Sequence, residues 1–113
     1  MGMIVIKHKV NTLEELASVP ADIGVQIDVK PYKERLVTQS DPFLEGVLLE
    51  DYLGKFNHKF LAVDLKSDGI EGAVIDLVEK FGIQNYFLFN VPPNSLKKLL
   101  HRKFTKFAVR FSD

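Results

Sequence analysis

The chain reads as an α/β domain with a parallel sheet. Three observations predict this. Short apolar runs recur along it at Met3–Ile6, Val25–Val29, Leu36–Thr38, Phe60–Leu65, Tyr86–Phe89 and Phe107–Phe111. Several of these runs are continuous rather than alternating, as strands covered on both faces are. Segments with helical period lie between most of them, and this alternation is the mark of right-handed βαβ units.

The elements follow in order. After the first run, Thr12-Leu13-Glu14-Glu15 forms a capping box, with Thr12 as N-cap and Glu15 three residues on. Leu13, Leu16 and Ala17 make that helix's apolar stripe, and Pro20 stops it. The link from Val29 to Leu36 has no room for a helix, because only Pro31-Tyr32-Lys33-Glu34 and their neighbours fill it. A second stripe runs through Leu48, Leu49, Tyr52, Leu53 and Phe56. The clearest helix takes Asp68 as N-cap, keeps a 3.6-residue period through Ile70, Ala73, Val74, Leu77, Val78 and Phe81, and ends at Gly82 as C′. A last helix starts at Asn94 or Ser95, with Leu96, Leu99 and Leu100 on one face and Lys97 and Lys98 on the other.

Composition limits the function classes. The 113 residues carry 15 Lys+Arg and 15 Asp+Glu, and 46% are hydrophobic, which suits one folded domain and excludes a disordered chain. A formal net charge of zero gives no long-range attraction to nucleic acid, which is not expected as a partner. With no cysteine there is neither a disulfide framework nor a thiolate zinc site, so a cytoplasmic protein is expected. No apolar stretch is long enough for a membrane span. Phosphate-cradling glycine loops, the GxSxG elbow and HExxH are all absent.

In parallel α/β folds the loops beyond the carboxyl ends of the strands make the active site. Those ends carry His8 and Lys9, then Asp28 and Lys30, Ser40 and Asp41, Asp64, Lys66 and Asp68, Asn90, and finally Arg110 and Ser112. Period-two alternation puts Gln26 with Asp28, and Asp64 with Lys66, on shared strand faces. One explanation is that wet strand ends let carboxylates and lysines pair with each other. The other is a site for an anionic group, with lysines binding charge and carboxylates holding a divalent cation. Of the three histidines, only His8 directly follows a strand, placed for proton transfer, whereas His58 precedes one and His101 suits a helix C-terminus.

The order of these residues resembles the glycerophosphodiester phosphodiesterase family, one of the phosphatidylinositol-phospholipase-C-like phosphodiesterase barrels. That family has His-Arg-Gly after its first strand, an Asn-Thr opening a helix, Glu-x-Asp, His-Asp, and a strand ending Glu-x-Lys. Here the matching stretches are Lys7-His8-Lys9, Asn11-Thr12, Gln26-Ile27-Asp28, Ser40-Asp41 and Asp64-Leu65-Lys66. The resemblance covers residues 3 to 66. It implies a parallel (β/α)₈ barrel of the TIM type, here incomplete, with about six of the eight strands.

It also implies His8 as an acid-base group, Lys9 and Lys66 on the substrate phosphate, and Asp28 and Asp64 on Mg²⁺ or Ca²⁺. The expected ligand is a small phosphodiester such as a glycerophosphodiester. Four positions depart from the pattern: Lys9 replaces the Arg of the first motif, Gln26 a metal-binding Glu, Ser40 the second catalytic His, and Asp64 the Glu before Lys66. A neutral amide weakens cation binding and a hydroxyl cannot donate protons near neutral pH, so activity is expected to be reduced or lost. The alternative is an inactive barrel fragment that acts as a binding or self-assembling module. An unclosed barrel leaves hydrophobic edge strands, which predicts a homo-oligomer through open sheet edges.

Overall fold

The computed structural model describes residues 4–39 and 46–109. Seven strands form one sheet among these residues: β1 (Ile6–Lys7), β2 (Gly24–Tyr32), β3 (Arg35–Thr38), β4 (Val47–Leu48), β5 (Leu61–Leu65), β6 (Tyr86–Val91) and β7 (Phe107–Val109). Four α-helices accompany it: α1 (Leu13–Ser18), α2 (Leu49–Lys55), α3 (Glu71–Lys80) and α4 (Leu96–His101), the last preceded by a 3₁₀ turn at Pro93–Ser95.

The sheet order is β4-β3-β2-β5-β6-β7, with β1 paired to the first part of β2. Strands β1, β2, β5, β6 and β7 are parallel, and each neighbours the next one of that series. The chain therefore advances one sheet position per βα unit without reversing direction. One expectation needs correction: the sheet is mixed and not all parallel, because β3 runs antiparallel to both β2 and β4. Among the described residues the sheet is open, with seven strands where about six were expected.

The antiparallel pair follows from the short link noted above. Tyr32 pairs with Arg35, so a two-residue turn at Lys33-Glu34 joins the strands, and both residues have positive φ, 49° and 65°. Two left-handed residues match the type I′ turn whose twist suits a hairpin.

Register sorts the strand residues onto two faces. Val25, Leu61 and Tyr86 align, as do Ile27, Val63 and Leu88, and all join one buried cluster. Leu16 of α1, Leu49, Tyr52 and Leu53 of α2, Val74, Ile75 and Val78 of α3, and Leu99 of α4 belong to the same cluster. Burial of these apolar side chains is the main stabilising term, at about 1.5–3 kcal/mol for each large one. The other face aligns Gln26 with Ala62 and Phe87, and Asp28 with Asp64 and Phe89.

The caps behave mostly as read. Thr12 Oγ1 accepts from the Glu15 N–H at 3.1 Å, and Gly82 has φ +74° beyond α3. Helix α3 begins later than expected, with Ile70 and not Asp68 at its N-cap, because Gly69 at φ +86° turns the chain there. Glu71 then reaches back to accept from the Gly69 N–H at 2.8 Å.

Candidate functional site at the strand ends

The site grows from a gap in the β-ladder. Strand β1 pairs with β2 only through Ile6–Gly24 and Lys7–Val25, while β3 joins β2 from Val29 onward. Backbone groups of β2 between these two partners need substitutes, since an unpaired buried amide is costly. The loop after β1 supplies them. The Val10 N–H donates to the Gln26 carbonyl at 2.9 Å, and Asn11 Oδ1 accepts from the Asp28 N–H at 2.8 Å.

That placement turns Asn11 into a clamp. Its Nδ2 donates to Asp28 Oδ2 at 2.9 Å, so one side chain holds both the amide and the carboxylate of Asp28. Thr38 Oγ1 donates to the Asn11 carbonyl at 2.7 Å, and the Tyr52 hydroxyl donates to the Val10 carbonyl, fixing the loop from both sides. Burial pushes the Tyr52 phenol well above its usual range, and the Glu15 charge adds to this.

Asp28 is 1% exposed and carries three donors. Besides Asn11, Gln26 Nε2 donates to Oδ1 at 3.2 Å and Lys66 Nζ stands 3.6 Å from the same oxygen. Buried carboxylates persist only when paired in this way. Gln26 is fixed by its neighbours: its Oε1 accepts from the Lys9 N–H at 2.8 Å, while Nε2 faces the Ile27 carbonyl and Asp28, both acceptors. A backbone N–H can only donate, so the amide orientation is unambiguous.

Lys66 joins the two strands. Its Nζ lies 3.1 Å from Asp64 Oδ2, and Asp64 Oδ1 accepts from Asn90 Nδ2 at 2.5 Å. Asn90 sits at the end of β6 with φ +62°, a left-handed conformation that Asn tolerates better than most residues. Partial burial lowers the Lys66 pKa, but Asp64, by hydrogen bond and charge, and then Asp28 outweigh this, so the ammonium is held above its usual range.

The structure thus brings together Gln26, Asp28, Asp64 and Lys66. Lys9 is attached through its backbone, with φ +56°, and its side chain is exposed. His8 is exposed beside it and has no hydrogen bond to the cluster among the described residues. Ser40, Asp41, Arg110 and Ser112 lie outside the described residues. Among described residues neither Lys9 nor Lys30 makes an ion pair, whereas Lys66 makes two.

The sequence reading missed the structural weight of Asn11 and Asn90. For Asn90 the signal was a polar amide directly following the apolar run Tyr86–Phe89; Asn11, after Lys7-His8-Lys9-Val10, carried no such local signal. It also missed Glu71 and Ser95, buried partners in which Ser95 Oγ donates to Glu71 Oε1 and ties α3 to the β6–α4 loop.

A divalent cation does not fit this donor set. Of the four carboxylate oxygens, Asp28 Oδ2 and Asp64 Oδ1 are taken by the amides of Asn11 and Asn90, and the other two turn to Lys66. Gln26 presents a donor where a third carboxylate would be needed. Among the described residues no group of three His, Cys, Asp or Glu side chains could hold a metal.

No protein-family model, curated protein or solved structure matches this chain. Among the described residues no helix is long and apolar enough to cross a membrane.

Proposed function

We propose that the chain is a glycerophosphodiester-phosphodiesterase-like module that takes a small phosphodiester at the carboxyl ends of its parallel strands, with hydrolysis reduced or lost. The observation that carries this reading is the ammonium of Lys66, held between Asp28 and Asp64 on adjacent parallel strands. Charge-assisted bonds of this kind fix a cation where an anionic oxygen would be recognised. The one-step advance of β1, β2, β5, β6 and β7 supports the barrel-type ancestry.

In this reading Lys66 and Lys9 contact the phosphate. A water attacks phosphorus to form the new phosphorus–oxygen bond and loses its proton to solvent, and His8 gives its proton to the leaving alkoxide as the old bond breaks. Asp28 and Asp64 hold Lys66 in place. Ser40 at the second acid-base position removes a partner that typically contributes about 10²–10⁴-fold in rate.

Hydrolysis of a bis(nitrophenyl) phosphate and of glycerophosphocholine, with and without Mg²⁺ or Ca²⁺, tests the reading. Residual turnover lost in His8→Ala, or a melting-temperature rise with glycerophosphocholine lost in Lys66→Met, supports it. Neither turnover nor ligand-induced stabilisation refutes it.

A second reading is self-assembly through the open edge. Ile4 and Val5, leading into β1, are 48% and 58% exposed, which favours pairing with another copy. Light scattering at micromolar concentration that reports only monomer refutes this.

A further inference from the structure

We infer that the Lys66 ammonium is the resident cation of the strand-end cluster, filling the charge-neutralising place between Asp28 and Asp64 that a divalent ion would need, so that the cluster is built to work without metal. This deepens the functional reading above, yet it concerns cation affinity and is tested without any phosphodiester.

The geometry sets the argument. Asp28 Oδ1 and Asp64 Oδ2 are the two oxygens that converge on Nζ, at 3.6 and 3.1 Å. The opposite oxygens are already bonded to Asn11 and Asn90 amides, which can only donate through Nδ2. Mg²⁺ and Ca²⁺ require oxygen ligands at about 2.0–2.6 Å, six or more in number. Here an ion would have to displace the ammonium and then find further acceptors, while Gln26 points an NH₂ group at the same Asp28 oxygen. The Gln26 acceptor, Oε1, is committed to the Lys9 N–H. The amides of Asn11, Asn90 and Gln26 thus all present donors to the two carboxylates that hold the ammonium.

Consequences for an anionic ligand follow directly. With no metal in the cluster, an anionic ligand on Lys66 and Lys9 binds with an affinity that depends on salt and not on chelators.

The test is a titration of Mg²⁺ and Ca²⁺ into the full chain, followed by calorimetry and by thermal melting. The unmodified chain is expected to show neither saturable heat nor a metal-dependent melting shift. Lys66→Met, which keeps side-chain length and removes charge, leaves two carboxylates facing each other. It is expected to melt lower, and a further Asp64→Asn, which removes one of the two facing charges, is expected to recover part of that loss.

Saturable binding in the unmodified chain that Asp64→Asn abolishes overturns the inference. So does a Lys66→Met protein, folded by circular dichroism, that melts no lower than the unmodified chain. Should Lys66→Met not fold, the unmodified chain decides: no binding, with Asp64→Asn melting unaffected by metal, upholds the inference. Failure to bind phosphodiester leaves these outcomes untouched and bears only on the proposed function.

Discussion

Replacing Asn11 by Ala removes the clamp on Asp28 while leaving the backbone free to keep its course. Two losses combine. The charge-assisted bond from Nδ2 to the Asp28 carboxylate contributes about 1.5–3 kcal/mol, and the Asp28 N–H is left without its acceptor in a buried position, costing about 1–3 kcal/mol. Together they predict a destabilisation of about 3–5 kcal/mol, a large share of the roughly 5–15 kcal/mol available to a domain. Urea denaturation followed by circular dichroism measures it, with a lowered midpoint and an unchanged slope.

A double-mutant cycle sharpens the test. Asp28→Ala keeps the Asp28 backbone N–H, so the cycle with Asn11→Ala isolates the side-chain bond at 2.9 Å. A coupling of about 1.5–3 kcal/mol is expected. If Asn11→Ala costs less than about 1 kcal/mol, or if the two substitutions are additive within about 0.5 kcal/mol, the clamp is not what holds the loop after β1.

Three further outcomes follow from the same structure. Lys33→Asn with Glu34→Gly relieves two left-handed non-glycine residues in the β2–β3 turn and should stabilise the chain by about 1 kcal/mol, read as a higher urea midpoint. Glu71→Ala removes the acceptor for both the Gly69 N–H and the Ser95 hydroxyl and should cost about 2–4 kcal/mol by the same measurement; an effect within error would refute its role in seating α3. Alkaline pH should destabilise the fold. Burial, and for Tyr86 also its hydrogen bond to Glu79, raises the pKa values of Tyr52 and Tyr86, and Asp64 and Asp28 raise that of Lys66 despite partial burial. A raised folded pKa means that the unfolded chain loses protons first, so stability falls as pH climbs above about 10. Tyr52→Phe should flatten that fall in pH-dependent melting, and an unchanged slope would contradict the assignment.

The legible part of the fold was its alternation. The runs at Val25–Val29, where Val25, Ile27 and Val29 alternate with Gln26 and Asp28, and at Phe60–Leu65 lie in β2 and β5, whose apolar side chains join the buried core. Thr12 and Gly82 were legible because caps use local bonds or local dihedrals. The late start of α3 was not, since Asp68 is an acceptable N-cap by type and only the turn at Gly69 moves the start to Glu71. Of the site, Asp28, Asp64 and Lys66 were found by position at strand ends. Asn11 and Asn90 were not weighed with them, because their importance lies in which groups they meet across 17 and 26 residues of chain.

By itself the sequence determined an α/β chain with six of its seven strands, β4 being read as the start of a helical stripe, and the residue types gathered at the carboxyl ends of the strands. These depend on periodicity, capping and turn chemistry, all of which act within a few residues. Tertiary structure alone decided that β3 and β4 run antiparallel, that the sheet stays open, and that Asn11 fills the ladder gap between β1 and β3. It also decided that Lys66 pairs with both carboxylates. Charges on adjacent strands interact through a few ångströms of space that sequence spacing does not encode, and the strand register of Asp28 with Asp64 sets that distance.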